Sequence, residues 1–315
     1  MFKQLQIKNF KSLEDVSLEL RRINVIIGAP NTGKSNVLDA LVLFTNTEDL
    51  RTFMRFRTPV DLVYQQDRSR EILIGLDDRW LKGIFKGWEV LFYFNDQLYC
   101  RISLHGQQRE KSISWNDIAV YRFWEDEYSS LDPPPLRPPT GKNLLGVLLH
   151  DGKLREFVCD ILSNYDLRLV LIEYEQKINI EWEREKGIAV ALDFRLLSDS
   201  LRQLILHTAA VFTNSNALIC FEEPEIHTFP HYVKFLAEII AYDKNNQYII
   251  TTHNPYFLLS IIEKTRISDI NVYITYMRNH TTKFRRITND ELSEILDLGP
   301  DVFFNLNRFI ETEEQ

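Results

Sequence analysis

Eight consecutive residues, Gly28-Ala29-Pro30-Asn31-Thr32-Gly33-Lys34-Ser35, keep the spacing G-x-x-x-x-G-K-[ST], and each fixed position has a chemical reason. Glycines let a loop wrap so that its backbone N–H groups point inward at phosphate oxygens. The helix that follows presents its positive dipole end to the same charge. The spacing therefore predicts a phosphate cradle in which Lys34 reaches the β- and γ-phosphates and the Ser35 hydroxyl ligates Mg²⁺. A second chemical feature ends the apolar run in "ALICFEEPE", where Glu222 and Glu223 follow Phe221. A buried strand that delivers acids at its carboxyl end places them where an α/β sheet meets its ligand. Glu222 is expected to hold the Mg²⁺ shell and Glu223 to polarise the attacking water as a general base. The third feature is His253 in "YIITTHNP", just past Ile249 and Ile250 and placed to hydrogen-bond the terminal phosphate. An acidic pair or a lone histidine after a strand is commonly a solvated turn or a helix cap. Three such strand ends in one chain decide for function.

The elements that must position these residues follow from periodicity. "KQLQIKNF" and "INVIIG" read as strands, and "KSNVLDALVLF" carries Val37, Leu38, Leu41 and Val42 at helical spacing. The Gly-Lys-Ser run thus sits between a strand and a helix. From about residue 71 to 115 short alternating runs, "EILIGLD", "WEVLFYFN", "QLYCRISL" and "KSISW", are parted by the turn formers "NDQ" and "HGQQ", which predicts an antiparallel meander. "SSLDPPPLRPPTGKN" holds five of the eleven prolines and must be an ordered surface loop or a linker, marking a lobe boundary. Beyond it, helices "GKLREFVCDILSNY", Leu201 to Phe212, "HYVKFLAEIIAY" and "PYFLLSII" are interspersed with strands "LRLVLIEYE", "KINIEW", "IAVALD", "NALICFEEPE", "QYIITTH" and "DINVYITY". Strands separated by helices of this length predict an α/β fold with a largely parallel sheet covered on both faces.

Composition narrows the function classes. With 315 residues, 44% apolar and 11 glycines, the chain can bury a sizeable core. A net charge of −8 argues against an all-over basic surface for duplex DNA, while a local basic stripe stays open. "RTFMRFRTP" at 51–59 interleaves three arginines with Phe53, Met54 and Phe56; it reads as a half-exposed amphipathic segment before a nucleic-acid strip. There is no run of 18 apolar residues and no leader-like amino terminus, so a soluble, cytoplasmic chain is expected. Cys100, Cys159 and Cys220 are odd in number and lie in apolar surroundings, as reduced packing cysteines do. His227 and His231 are four apart, but Pro230 intervenes and no third ligand is evident, which argues against a zinc site.

The order "IKNFKSLEDVSLEL…NVIIGAPNTGKSNVLDAL", "LLSDSLRQLILHTAAV", "LICFEEPEIHTFPHY" and "YIITTHNPYFL" resembles the ABC-type ATPase heads of the SMC, RecF and OLD (overcoming lysogenization defect) group, notably their short stand-alone AAA-like members. The likeness covers roughly residues 1–47 and 136–262, and "TGKNLLGVLL" looks like a stretch these ATPases carry between lobes. The resemblance implies a P-loop NTPase of ABC/SMC-head type: a mixed, mostly parallel sheet flanked by helices, plus an antiparallel β lobe. It implies a single head over residues 1–315, with an N-terminal lobe over 1–128 and a C-terminal lobe over 129–315. It implies ATP and Mg²⁺ as ligands, with nucleotide contacts from Gly28, Asn31, Thr32, Gly33, Lys34, Ser35 and Asn36 and, in the region where relatives approach the nucleotide, Lys11.

In this family two heads sandwich two ATP molecules, and a signature segment of one head completes the other's site. The matching positions are Leu197-Ser198-Asp199-Ser200-Leu201-Arg202, where Ser198 is expected to cap the helix and touch the partner's γ-phosphate. The segment lacks the family's glycine after the serine and is one residue short. Pro30 stands where relatives often have asparagine, and Gln65 or Gln66 could be the family's glutamine after the first lobe's strand. "FRRITNDELSEILDLGPDVFFNLNRFIETEEQ" is too short for the Toprim domain of OLD nucleases, and no heptad stretch for a coiled coil is present. The expectation is an ATPase that dimerises on ATP and drives a separate effector protein, such as a nuclease in DNA repair or anti-phage defence. Two other readings stand beside it: a nucleotide-dependent switch with little turnover, and a RecF-like DNA-binding ATPase.

Overall fold

Alternating burial builds the first sheet. Strand β1 (Gln4–Phe10) buries Leu5 and Ile7, β2 (Leu13–Glu19) buries Val16 and Leu18, and the two pair antiparallel with Leu5 opposite Leu18. This is a computed structural model, which describes residues 1–45, 50–104, 106–109, 115–124 and 127–311. The chain next enters β3 (Ile23–Gly28), buried along its whole length, then α1 (Lys34–Val42) and the short α2 (Leu50–Phe53). β4 (Ile72–Leu76), β5 (Arg79–Lys86), β6 (Glu89–Phe94), β7 (Gln97–Ser103) and β8 (Gly106–Arg109) form the expected meander. Together with β1 and β2 they make one antiparallel sheet in the order β2-β1-β4-β5-β6-β7-β8. Asn95 and Asp96, both with left-handed backbone, supply the turn between β6 and β7. Gln107 and Gln108, expected in a turn, belong to β8, because they pair with Ile102 and Arg101. Of the expected strand "KSISW", residues 111–114 lie outside the described residues.

The remaining elements are β9 (Ile118–Tyr121), α3 (Leu144–His150), α4 (Gly152–Ser163), β10 (Arg168–Ile172), β11 (Lys177–Glu185), β12 (Ile188–Asp193), α5 (Asp199–Thr213), β13 (Leu218–Glu222), α6 (Pro230–Tyr242), β14 (Gln247–Thr251), α7 (Pro255–Lys264), β15 (Ile270–Arg278), β16 (Thr281–Arg286), α8 (Asn289–Leu298) and α9 (Leu306–Glu311). A central sheet runs β16-β15-β3-β14-β13-β9. Its pairs are parallel apart from β15 with β16. Successive residues of β3 feed two cores: Val25 and Ile27 pack with apolar residues of α3 to α8, and Ile26 packs with those of α1 and the antiparallel sheet. Such two-sided burial, worth about 1.5–3 kcal/mol for each fully buried Val or Ile, explains why this strand reads as continuous apolar sequence. β10, β11 and β12 form a separate antiparallel sheet that buries Ile178 and Ile180.

The proline-rich segment is an ordered loop. The Asn143 amide, fully buried, donates to the carbonyls of Asp132, Pro133 and Pro135 and accepts from the Arg137 N–H, while Leu136 enters the core. Cys100 and Cys220 are packing residues as expected, but Cys159 is exposed. On α4 the buried stripe is Leu154, Val158 and Leu162, and the residue after Val158 turns to the solvent side. Among the described residues no helix is long and apolar enough to cross a membrane. The site is assembled by register: Glu222 of β13 lies opposite Thr251 of β14, and Thr251 lies opposite Ile26 of β3. Three strand ends therefore meet beside the start of α1.

Candidate functional site

The phosphate loop begins where β3 ends. Gly28, Asn31 and Gly33 take positive φ values of 149°, 60° and 89°, which turns the chain tightly enough to start α1 at Lys34. The loop has no room for larger residues at its glycines. A Cβ on Gly28 would lie 2.4 Å from the Thr275 carbonyl oxygen, and one on Gly33 would lie 2.2 Å from Thr282 Oγ1. Both threonines come from the β15–β16 hairpin, which forms a wall against the loop. Thr32 Oγ1 donates to the Ala29 carbonyl at 2.8 Å and shares a 2.6 Å hydrogen bond with Thr275 Oγ1. Asn36 donates to Ser12 Oγ, which shares a hydrogen bond with Thr282 Oγ1. Asn31 is exposed at the loop tip and Ser35 is half-buried at the start of α1.

Lys34 Nζ folds back over the loop, 3.0 Å from the Gly28 carbonyl and 2.9 Å from that of Ala29. Its side chain is buried, and burial pulls the ammonium pKa down to about 8, against the pull of the Glu223, Glu222 and Glu225 carboxylates. A cation made costly by burial and left with two neutral carbonyls is stabilised by any anion that replaces them.

The acids sit where the sequence places them, with partners the sequence does not announce. The Glu222 side chain is 8% exposed and lies between Arg122 Nε at 2.5 Å and Arg55 Nη2 at 3.1 Å. Arg122 also holds the buried Asp39 of α1 at 2.7 Å, and the second oxygen of Asp39 takes the Lys11 ammonium. Two carboxylates thus face three cations in a chain Lys11–Asp39–Arg122–Glu222–Arg55. The excess positive charge favours an anionic ligand, and the pairing makes burial of the ions tolerable. Burial holds the Lys11 ammonium below its usual range, against the attraction of Asp39. Its side chain is turned to Asp39 and to the Arg55 carbonyl at 3.0 Å.

Glu223 has left-handed backbone, φ 44°, and its N–H reaches the Thr251 carbonyl at 2.9 Å, which fastens the acid to the end of β14. Its Oε1 lies 3.1 Å from His253 Nε2, and the hydrogen bond from His253 holds the carboxyl below its usual range. At neutral pH it is an ionised proton acceptor. Glu225, which sequence reasoning passed over, accepts from Thr252 Oγ1 at 2.7 Å and from the His253 N–H at 2.8 Å. It fixes the turn that aims His253 at Glu223. Burial pushes its own pKa up. The one sequence signal for it is the third acid in "EEPE".

Ser198 is brought to the N-cap position of α5, but its side chain makes no capping hydrogen bond, contrary to expectation. The hydroxyl is exposed, and the neighbouring groups are held by others: Ser200 Oγ donates to the His227 carbonyl, and Arg202 reaches Asp199 and the Arg195 carbonyl. Leu196, two residues before it, is 68% exposed. Gln65 and Gln66 line one cleft with Lys11, Ser12 and Asn36. The Ser35 hydroxyl and the Glu222 carboxylate are hard oxygen donors of the kind Mg²⁺ takes, with phosphate and water supplying the rest of its shell.

Comparison with known proteins gives the family and the fold. Residues 1–127 match a family described as "AAA ATPase domain" and residues 84–260 match one described as "AAA domain, putative AbiEii toxin, Type IV TA system". A stretch of 88 residues, 27% of the chain, is 38% identical to an OLD nuclease of Thermus scotoductus, and it spans 16% of that nuclease. Two solved structures share the fold at low identity. An Smc head bound to the C-winged helix domain of ScpA matches with TM-score 0.60 at 15% identity, over 93% of this chain and 99% of that one. An Smc head with an extended coiled coil, bound to the C-terminal domain of ScpA and derived from Pyrococcus furiosus, matches with TM-score 0.57 at 14% identity, over 94% and 98%.

Proposed function

We propose, for a chain that belongs to the AAA-domain ATPase family and folds as an ABC/SMC-type head, that it binds ATP with Mg²⁺ at Gly28–Asn36 and hydrolyses it within a dimer of two such heads. The observation that carries this reading is the meeting of Lys34, Glu222 and the Glu223–His253 pair at the ends of three adjacent strands. Loop N–H groups and the α1 N-terminus hold the phosphate oxygens, and Lys34 exchanges its two carbonyl partners for them. Ser35 and Glu222 would hold Mg²⁺, which when bound neutralises charge on the phosphoryl oxygens. Glu223 orients a water, takes its proton as the oxygen attacks the γ-phosphorus, and the bond to the bridging oxygen of ADP breaks. His253 keeps Glu223 ionised and in position.

The exposed Ser198 is suited to a contact across two heads. The work of closure passes to a separate cytoplasmic effector, a nuclease by analogy with the OLD relative, in DNA repair or anti-phage defence. Phosphate release measured against protein concentration tests the reading. It is expected to rise faster than linearly and to vanish in Glu223→Gln; strictly linear turnover contradicts a site completed in trans.

A second reading, a nucleotide switch with little turnover, is favoured by the absence of a capping bond at Ser198. It predicts tight ATP binding without concentration-dependent hydrolysis. A RecF-like role predicts DNA-stimulated turnover, and the engagement of Arg55 with Glu222 weakens its basic strip.

A further inference from the structure

The outermost strands of a sheet carry backbone N–H and C=O groups without a ladder partner, and proteins ordinarily blunt such edges with charge, cover or irregularity. β2, β9, β10 and β16 follow that rule. β2 has its Glu19 carbonyl taken by the Asn271 and Tyr273 side chains, and β16 carries Lys283, Arg285 and Arg286. β9 is buried along its length, and β10 packs against α4. β12 is different. Among the described residues it pairs with β11 alone, and Ile188-Ala189-Val190-Ala191-Leu192-Asp193 holds no proline, no glycine and no charge before its last residue. Ile188 is 48% exposed, and Ala189 and Ala191 are exposed beside it.

Register gives the two faces of this edge opposite characters. Val190 lies opposite Trp182, and Leu192 opposite the buried Ile180, on the face turned to the core. On the other face Ala191 lies opposite Glu181 and Ala189 opposite Glu183. The cations of that face are placed elsewhere: Lys177 is paired with Glu175, and Arg168 stands on the far strand β10, across from Glu181. Asp193 is held by Arg195. Alanine side chains are too short to screen the two glutamates. A strand added beyond β12 would lie roughly 10 Å from β11, two strand spacings, where a lysine or arginine laid over an alanine reaches a carboxylate.

A row of unpaired backbone groups is matched by another extended chain, which supplies the missing ladder. Alternate side chains of that chain must be apolar, to continue Val190 and Leu192, and the others cationic, to meet Glu181 and Glu183. β12 of a second copy meets the first demand and fails the second, because Ile188–Asp193 contains no cation.

We propose that β12 is a docking edge on which a segment of another protein, with apolar and basic residues in alternation, adds as a fourth strand. The edge belongs to the sheet of β10 to β12, apart from the sheet that positions Glu222 and His253, so docking stands independently of the nucleotide reading. Fluorescence anisotropy with a labelled octapeptide alternating lysine and valine tests it. Three control peptides accompany it: the same composition in two blocks, an alternation of glutamate and valine, and the lysine–valine peptide N-methylated along its backbone. The wild type is expected to bind the lysine–valine alternation about tenfold or more tighter than each control. Glu181→Lys combined with Glu183→Lys, both on the solvent face, is expected to reverse the preference between the lysine and glutamate peptides at an unchanged melting temperature. Absence of binding, equal binding of the N-methylated peptide, or a preference unmoved by the double substitution would overturn the docking edge. So would a nucleotide-free dimer in sedimentation that excess lysine–valine peptide splits, because the occupant would then be a second copy. Failure of the nucleotide reading looks different: ATP is not bound, while the peptide results stand.

Discussion

At the phosphate end, Thr32, Lys34 and Asn36 all make hydrogen bonds within the chain, and the β15–β16 hairpin presses on both loop glycines. At the signature end, Ser198 stands at an exposed N-cap without a capping bond, two residues after an exposed Leu196. The first region is preorganised in one chain. The second presents groups whose local partners are engaged elsewhere. The contrast teaches that the phosphate end is braced within one chain, whereas the proposed turnover depends on what the exposed Ser198 end meets.

The contrast yields effects of graded size. Glu223→Gln is expected to lower phosphate release by about 10²–10⁴-fold, as loss of a general base does, while ATP binding by calorimetry survives. Loss of binding as well would mean that Glu223 builds the loop rather than the reaction. Arg122→Ala leaves Asp39 and Glu222 without their shared partner and is expected to cost about 3–5 kcal/mol in chemical denaturation; a change below about 1 kcal/mol would show that the network does not brace the site. Lys34→Ala should weaken ATP about 100-fold, the loss of a charge-assisted contact, with the melting temperature little changed.

A pH titration of ATP affinity sharpens the same point. Lys34 has its pKa lowered to about 8 in the empty head, so its charge is present below that pH and is lost as pH rises through it. Affinity should therefore fall above about pH 8, approaching tenfold per unit, whereas Lys34→Arg should show a flat profile there. The same shift means that Lys34 disfavours folding least at high pH, since its unfolded pKa lies above its folded one. The smallest effect is predicted at Ser198: Ser198→Ala should change stability by less than about 0.5 kcal/mol, because no capping bond is lost, yet reduce concentration-dependent hydrolysis. A stability loss near 1 kcal/mol would make Ser198 an ordinary cap.

The strand-loop-helix around Gly28–Ser35 and the strand ends at Glu222 and His253 were legible because contiguous residues carry them: apolar runs that stop at glycine, acid or histidine. Asp39, Arg55 and Arg122 were not, because each is a single charged residue whose meaning arises when α1, the segment after α2 and the end of β9 converge. The role of Thr275 and Thr282 was hidden for the same reason, since some 240 residues of chain separate Thr32 from Thr275. Glu225 was overshadowed by the adjacent Glu222 and Glu223, and its value comes from hydrogen bonds to a different strand's turn. The small sheet of β10 to β12 was read as strands, but its separation from the parallel sheet depends on tertiary packing that periodicity does not encode.

Sedimentation velocity of the Glu223→Gln protein, with and without ATP and Mg²⁺, tests most directly the claim that a preorganised phosphate end awaits a second head. A monomer without nucleotide and a dimer with it are expected, the dimer being lost again on adding Ser198→Arg. A protein that binds ATP and sediments as a monomer throughout would contradict it.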